Sequence, residues 1–588
     1  MFSNFKIRPW INDLEKSIAL IFKADKRNGM INILLQLLQA LLPVASLYYI
    51  KLLIEALTAN KGEAGVVMAI AGFSITQIGL VIVSQYAAYV VTVHQQKVTD
   101  FISTEVLYKA TQADYRYYEN PVYHDTLHLA QQQSLYRFPQ LIGQLSLMLQ
   151  NVLSLFLLIV FFFSMHAGFA LAFLVLSVPL AIVKWYYGVE VARLDRKFAA
   201  EEREANYLYT TLTHVNFAKE VRLFGYGDNF IEKFKRIKKF IADYKNKMHH
   251  RLTLYGLIAE IFEVIAMLLI FFFLAKETST KLISIGAFII YLQGFQRMQS
   301  TTKSFLQSFV QLFQLRIFLQ DIFYFFQMAE NNIIRGTKTF PSIINNGLTV
   351  KNISFAYPFS NKTALKNVSI SCAPGQIIAI VGENGSGKST FVKLLARLYH
   401  LQSGKIEIDD YALNDINIQS FRTKATFLFQ DFEKYFFTVE ENIALGEEPD
   451  SSRIEWAAKL SGADSFIKKL SNGYKTRMGT IFQGSEQLSG GQWQKIALTR
   501  MFYREAQLVV LDEPTSALDA NAELKLFENL KNFCGKKMII LITHRLYNLK
   551  IADKIYVLDE GQIVQHGTYK ALLEEDGLFR KMYNAQQL

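Results

Sequence analysis

Between Phe138 and Val183 the chain carries no aspartate, glutamate, lysine or arginine. That stretch is about twice the roughly 20 residues one helix needs to cross a bilayer, which excludes an ordinary soluble enzyme and a disordered chain. Across all 588 residues 51% are hydrophobic, 14% aromatic and 19% charged, against about a quarter charged in a typical soluble chain. The apolar residues gather in six charge-poor runs: Asn28 to Ile50, Ala64 to Gln96, Gln140 to Met165, Ala167 to Gly188, Arg251 to Ala275 and Leu282 to Gln299. Each is long enough to read as a membrane span. Pro43 and Pro179 fall inside spans, where neighbouring helices re-satisfy the freed carbonyls, so kinks are expected and not breaks.

The connection with Lys51 and Glu55, the turn around His166 and the segment Lys276 to Lys281 are short. The connections Lys97 to Arg137 and Val189 to His250 are long and charged, the second rich in lysine and arginine. The positive-inside bias places these two in the cytoplasm with Lys23, Lys26 and Arg27, and an even number of spans returns the C-terminus to the same side. Good helix formers in Leu194 to Asn206 and Phe230 to Asn246 predict helices that continue the spans into the cytosol. Their tips are expected near Asp114 to Tyr123 and Tyr207 to Phe217. The net charge of +12 sits beside apolar spans, so it reads as membrane orientation; no nucleic-acid partner is expected. Two cysteines, Cys372 and Cys534, both in the polar half, do not make a disulfide framework or a zinc site. The N-terminus lacks a cleavable secretory signal, so the first span is expected to direct insertion.

After Met328 the composition shifts through Asn331, Asn332, Gly336, Pro341 and Gly347 into alternating strand-like and amphipathic runs. The reading is therefore an all-α transmembrane domain over 1–328, a linker over 329–347, and an α/β domain over 348–588, long enough for its own core.

That second domain holds an apolar strand from Ile377, a glycine-rich loop and then a helix. The loop, Gly382, Glu383, Asn384, Gly385, Ser386, Gly387, Lys388, Ser389 and Thr390, satisfies G-x-x-x-x-G-K-[ST]. Its backbone N–H groups and the helix N-terminus suit phosphate oxygens, Lys388 reaches the β and γ phosphates, and Ser389 can ligate Mg²⁺. ATP and Mg²⁺ are the expected cofactors. Further on, Leu508 to Leu511 is a buried-type strand that ends in Asp512 and Glu513. Asp512 is expected to hold Mg²⁺ through water and Glu513 to act as general base on the attacking water. Between the two lies Leu488-Ser489-Gly490-Gly491-Gln492, ahead of a helical run. By spacing alone this is either an anion site or an N-cap beside a flexible loop.

The series of phosphate loop, LSGGQ and LVVLDE resembles the ATP-binding cassette (ABC) ATPases. The resemblance implies that Tyr357 stacks on adenine, that Gln430 senses Mg²⁺ and touches the membrane domain, and that Ser516 to Asp519 form the D-loop. It implies that His544 contacts the γ-phosphate, and that Ser489 and Gly491 act on ATP held by another subunit, so that a homodimer has two competent sites. Six spans followed by one cassette resemble the type IV exporter half-transporter along the whole chain. So do Ala218-Lys219-Glu220-Val221-Arg222-Leu223-Phe224-Gly225 and Tyr118-Glu119-Asn120-Pro121, beside the two coupling tips, which would press on the cassette near Gln430. One departure is the segment before the signature, where Gln483 or Glu486 takes the place of a glutamate common in exporters. With about 27 residues before the first span, the peptidase of leader-cleaving exporters is not expected.

For the substrate, Glu260 and Glu263 share a face of the fifth span, and with Tyr291 they are candidate cavity residues. Tyr86, Tyr89, Gln293 and Gln296 are further candidates, or interfacial anchors. The expected function is ATP-driven export of an amphipathic peptide or drug-like molecule across the cytoplasmic membrane by a homodimer in membrane lipid. A lipid or lipid-linked glycan flippase and an ATP-gated channel or regulator are the alternatives.

Overall fold

The computed structural model describes residues 7–58, 62–119, 121–165, 179, 181–191, 193–194, 197–280, 283–330, 336–358, 360 and 362–587. The chain forms two compact units: Met1–Gln112 with Pro121–Asn331, and Ala113–Asn120 with Asn332–Leu588.

The first unit is helical, with α1 (Ile7–Ala24), α2 (Lys26–Thr58) and α3 (Gly62–Gln112). It goes on with α5 (Pro121–Met165), α6 (Ala199–Thr213), α7 (Ala218–Phe224), α8 (Gly227–Ser279) and α9 (Ile285–Glu330). Among the described residues α2, α3, α5 and α8 contain stretches long and apolar enough to cross a membrane. The expected fourth span, with the turn at His166, lies mostly outside the described residues, although 181–191 is helical. The expected sixth span is the start of α9, where Gln293, Gln296 and Arg297 dilute the apolar run. At 51 residues α3 extends for roughly 76 Å, well beyond a bilayer core. α2 passes through Pro43 without interruption.

Polar side chains inside this unit find partners on neighbouring helices, as they must where water is absent. Asn32 donates to Ser146 at 2.7 Å, Gln77 to Ser46 at 2.8 Å and Asn151 to Ser304 at 2.9 Å. Leu47, Leu158, Phe162, Leu274 and Phe295 pack together around Tyr291. The turn His214–Phe217 between α6 and α7 falls within the expected second tip, and Gly225 at φ +64° ends α7. A residue with a Cβ is costly in that left-handed conformation.

The second unit contains two sheets. One is antiparallel, with β1 (Leu348–Ala356), β2 (Thr363–Cys372), β4 (Ser403–Ile408) and β5 (Tyr411–Ala412) in the order β2-β1-β4-β5. The other has the order β10-β9-β3-β8-β7-β6, built from β3 (Ile377–Val381), β6 (Ala425–Leu428), β7 (Leu508–Asp512), β8 (Met538–Ile542), β9 (Lys554–Asp559) and β10 (Gln562–Gly567). All neighbours in it are parallel except β9 and β10. Every residue of β3, β7 and β8 is buried, which explains their unbroken apolar runs: helices pack on one face of the sheet, and a helix together with the antiparallel sheet on the other. The helices used below are α10 (Lys388–Leu395), α11 (Ser451–Ser461), α12 (Gly490–Tyr503) and α13 (Ala520–Cys534). A short helix from the long connection, α4 (Tyr115–Tyr118), completes the unit.

Candidate nucleotide site

The carboxyl ends of β3, β7 and β8 bring the phosphate loop, the Asp512–Glu513 pair and His544 to one edge of the sheet. This is where ligands bind in open α/β sheets. Gly387 closes the loop at φ +109°, and a Cβ there would lie 2.8 Å from the Ala364 carbonyl oxygen. Only glycine fits. Lys388 then opens α10, and its buried Nζ donates to the carbonyls of Gly382 at 2.9 Å and Glu383 at 2.8 Å. Burial lowers the Lys388 pKa, while Glu513 and Asp512 oppose the shift. An ammonium held in this way favours a polyanion as its next partner.

Ser389 donates to Asp512 at 3.2 Å. Burial pushes the Asp512 carboxyl up to about 6, with the Glu513 and Asp431 charges adding and Ser389 and Lys388 opposing. A hydroxyl and a carboxylate side by side, with a carboxylate that lacks enough positive charge, are hard oxygen donors suited to Mg²⁺.

Glu513 follows β7 at φ +50°, a strained position for a residue with a side chain. Its N–H donates to Ile542, the last residue of β8, at 2.9 Å. One carboxylate oxygen accepts from Gln430 Nε2 at 2.8 Å and the other lies 3.2 Å from His544 Nδ1. Gln430 and His544, far apart in sequence, thus converge on one carboxylate.

Ser489 caps α12 in a capping box with Gln492: Gln492 N donates to Ser489 Oγ at 3.3 Å and Ser489 N to Gln492 Oε1 at 2.8 Å. The N-cap reading is realised, and Gly490 beside it stays open. Gly491 has a reason of its own, because a Cβ there would meet the Ala517 carbonyl oxygen at 2.8 Å. Asp519 caps α13 by accepting from Ala522 N at 2.8 Å.

Tyr357 donates to or accepts from Thr390 at 3.0 Å, and its ring meets Tyr399 edge-on with centroids 5.3 Å apart. Lys393 Nζ lies 5.6 Å from the centre of the Tyr357 ring and 2.8 Å from Glu119. Tyr399 also donates to Glu119, and His400 lies 3.3 Å from Asp114. Burial raises the Glu119 carboxyl, but these two hydrogen bonds outweigh it and the net shift is downward. Among the described residues of the first expected tip, Glu119 meets Lys393 and Tyr399, and Asp114 meets His400. Asn120 lies outside the described residues.

Sequence reasoning also missed Gln494. It donates to Ser516 at 3.2 Å and accepts from Ala517 N at 2.7 Å, which ties α12 to the loop after Glu513. Of the two residues before the signature, Glu486 is engaged with Ser471 N at 2.8 Å, and Gln483 is exposed. Next to His544, Arg545 pairs at 2.7 Å with the buried Glu523, which also accepts from Tyr547. Replacing Arg545 by alanine strands that carboxylate. The expected loss is about 2–3 kcal/mol, at the lower end for a buried pair because the Arg545 side chain is 26% exposed. Calorimetry should show a lowered unfolding transition for Arg545→Ala, largely restored in Arg545→Ala/Glu523→Gln; an unchanged transition would refute the anchoring role.

Of the candidate cavity residues in the helical unit, Glu260 and Glu263 share Lys303, at 3.6 and 3.9 Å. Glu260 lines a cavity of about 570 Å³ with Lys184, Tyr187 and apolar residues of α8. Tyr291 does not join them: it is buried, with its ring stacked on Phe162 at 5.8 Å.

A phosphate-loop ATPase fused to a bundle of membrane-length apolar helices defines a membrane transport ATPase. The comparisons agree: residues 30–302 match the ABC transporter transmembrane region and residues 365–516 match the ABC transporter family. The chain is 30% identical over 580 residues to the subtilin transport ATP-binding protein SpaT of Bacillus subtilis, covering 97% of this chain and 94% of that one. It is 29% identical over 581 residues to the nisin transport ATP-binding protein NisT of Lactococcus lactis subsp. lactis, covering 98% and 96%. Similarity to an ATP-dependent lipid A-core flippase of Vibrio vulnificus is 36% over 241 residues, 41% of each chain. In fold it resembles a bacterial Atm1-family ABC exporter with ATP bound, at a TM-score of 0.80 and 22% identity, over 96% of this chain and 98% of that one. The chain belongs to the ABC transporter family. It is an integral membrane protein that binds nucleotide and couples ATP hydrolysis to transport.

Proposed function

We propose that the protein exports an amphipathic peptide across the cytoplasmic membrane as a homodimer, with both termini and the cassettes on the cytoplasmic side. The observation that carries the catalytic part is the Glu513 carboxylate held between Gln430 and His544, beside the Lys388 loop. In this reading Lys388, Ser386, Gly385, Asn384 and the other loop residues from Gly382 to Thr390 hold the phosphates, and Tyr357 stacks on adenine. Ser389, Asp512 and Gln430 would hold Mg²⁺, which supplies neutralisation of phosphate charge. Glu513 orients and deprotonates the attacking water, and His544 donates to the γ-phosphate. Ser489, Gly490, Gly491, Gln492 and Asp519 of one copy complete the site on the other. Glu119, through Lys393, links nucleotide occupancy to the long helices.

For the cargo, the relatives named for subtilin and nisin transport match along 97% and 98% of the chain, whereas the matches to lipid A-core flippases span 41% to 67% of it. That contrast favours a peptide. In this reading a cationic group on such a peptide competes with Lys303 for Glu260, which stands on a largely apolar cavity wall. The test uses inside-out vesicles of the purified protein, supplied with ATP and either a labelled amphipathic cationic peptide or a labelled lipid. ATP-dependent accumulation of the peptide is expected, reduced several-fold in Glu260→Gln. ATP-dependent lipid movement without peptide uptake would replace this reading with a flippase.

A further inference from the structure

The amino-terminal edge of the six-stranded sheet, opposite the nucleotide edge, carries a second cavity of about 580 Å³. Five steps along β7 separate Gln507 from Asp512, so the two edges lie roughly 17 Å apart. The floor of the cavity is tied by backbone: Gln507 N donates to the Lys424 carbonyl at 2.8 Å, Met538 N to Gln507 at 2.9 Å, and Gln507 Nε2 to the Ser342 carbonyl at 2.9 Å.

The walls have two unlike components. Lys424, Arg453, Arg504, Lys536 and Lys537 all line the cavity, and Glu505, bound to Arg453 at 3.3 Å, is the one carboxylate among its described lining residues. The carbonyl ends of α12, α13 and the helix Ile418–Lys424 converge here. With about half a negative charge each they account for part of this excess, yet the cavity stays roughly 2.5 charges positive. Against this stands an aromatic wall. Trp456, 47% exposed, lies 6.2 Å from Phe533, which meets Phe502 edge-on at 5.0 Å. Lys537 Nζ sits 4.6 Å from the centre of the Phe533 ring. The volume falls within the range of small-molecule sites. Cations suit a phosphate or carboxylate, and a half-exposed indole suits a planar ring.

We propose that this cavity binds a small aromatic anion, an aryl or nucleoside phosphate, at a site separate from the phosphate loop. Neither the transport reading nor its cargo is needed for it. The test is calorimetric titration of the full-length protein in lipid nanodiscs, with the phosphate loop filled by vanadate-trapped ADP and all free nucleotide and vanadate removed. Phenyl phosphate, AMP and inorganic phosphate are the probes. Saturable binding of phenyl phosphate or AMP is expected, about tenfold or more tighter than inorganic phosphate, and AMP tighter than phenyl phosphate identifies the nucleoside form. Lys424→Ala/Lys536→Ala should weaken it about tenfold or more while ATPase activity stays within twofold of wild type. Trp456→Ala should remove the preference over inorganic phosphate, and Trp456→Phe should restore most of it. Absence of saturable binding with the phosphate loop filled, or binding unchanged in the double variant, overturns the proposal. Equal affinity for phenyl and inorganic phosphate overturns its aromatic half.

Discussion

In Glu513→Gln, ATP hydrolysis falls by roughly 10²–10⁴-fold while ATP binding survives. The substitution keeps the shape of the side chain and its place at the end of β7, and it removes the one basic group that Gln430 and His544 jointly orient. Glutamine still has a carbonyl oxygen for Gln430 at 2.8 Å, but it cannot take a proton from water. The φ of +50° at this position is backbone strain, which the N–H bond to Ile542 helps to hold. Both should persist in the variant, so the loss is chemical and not one of folding. Phosphate release measured beside equilibrium binding of a fluorescent ATP analogue separates the two; hydrolysis within tenfold of wild type would mean that the base lies elsewhere.

Lys388→Ala acts one step earlier and should cost about a hundredfold in ATP affinity, with vesicle transport lost at ordinary ATP concentrations. Its Nζ bridges two loop carbonyls from a buried position. Alanine leaves both carbonyls without that donor and removes the cation proposed to face the phosphates, and each charge-assisted bond of this kind contributes about 1.5–3 kcal/mol. Transport that persists in sealed vesicles carrying this variant would remove ATP as the energy source.

Much of this site was legible because its parts are local. A phosphate loop must follow a strand and open a helix, and Ile377 to Leu395 spells that out in one run. Buried parallel strands advertise themselves as unbroken apolar runs, as β7 does before Asp512. What escaped depends on contacts between distant positions of the chain. Lys393 and Glu119 are 274 positions apart, and no periodicity marks them as partners. Gln494 lies on a helix whose glycines and serine drew the attention, although it is the side chain that grips the loop after Glu513. Tyr291 read as a cavity residue because a tyrosine in a span has a polar end, yet the ring packing with Phe162 claims it.

The 274 positions between Glu119 and Lys393 also separate them in time during synthesis. At about 5–20 residues per second a ribosome needs roughly 14–55 s to travel that distance. Until then the Ala113–Asn120 segment, made early, has none of its partners in Lys393, Tyr399 and His400, and the nascent helical unit must wait with that stretch unclaimed. A cassette expressed without the first 331 residues faces the mirror problem: Lys393 loses its carboxylate and Tyr399 its acceptor. Supplying residues 113–120 as a peptide, or grafting them onto the truncated chain, is then the practical route to a well-behaved soluble fragment.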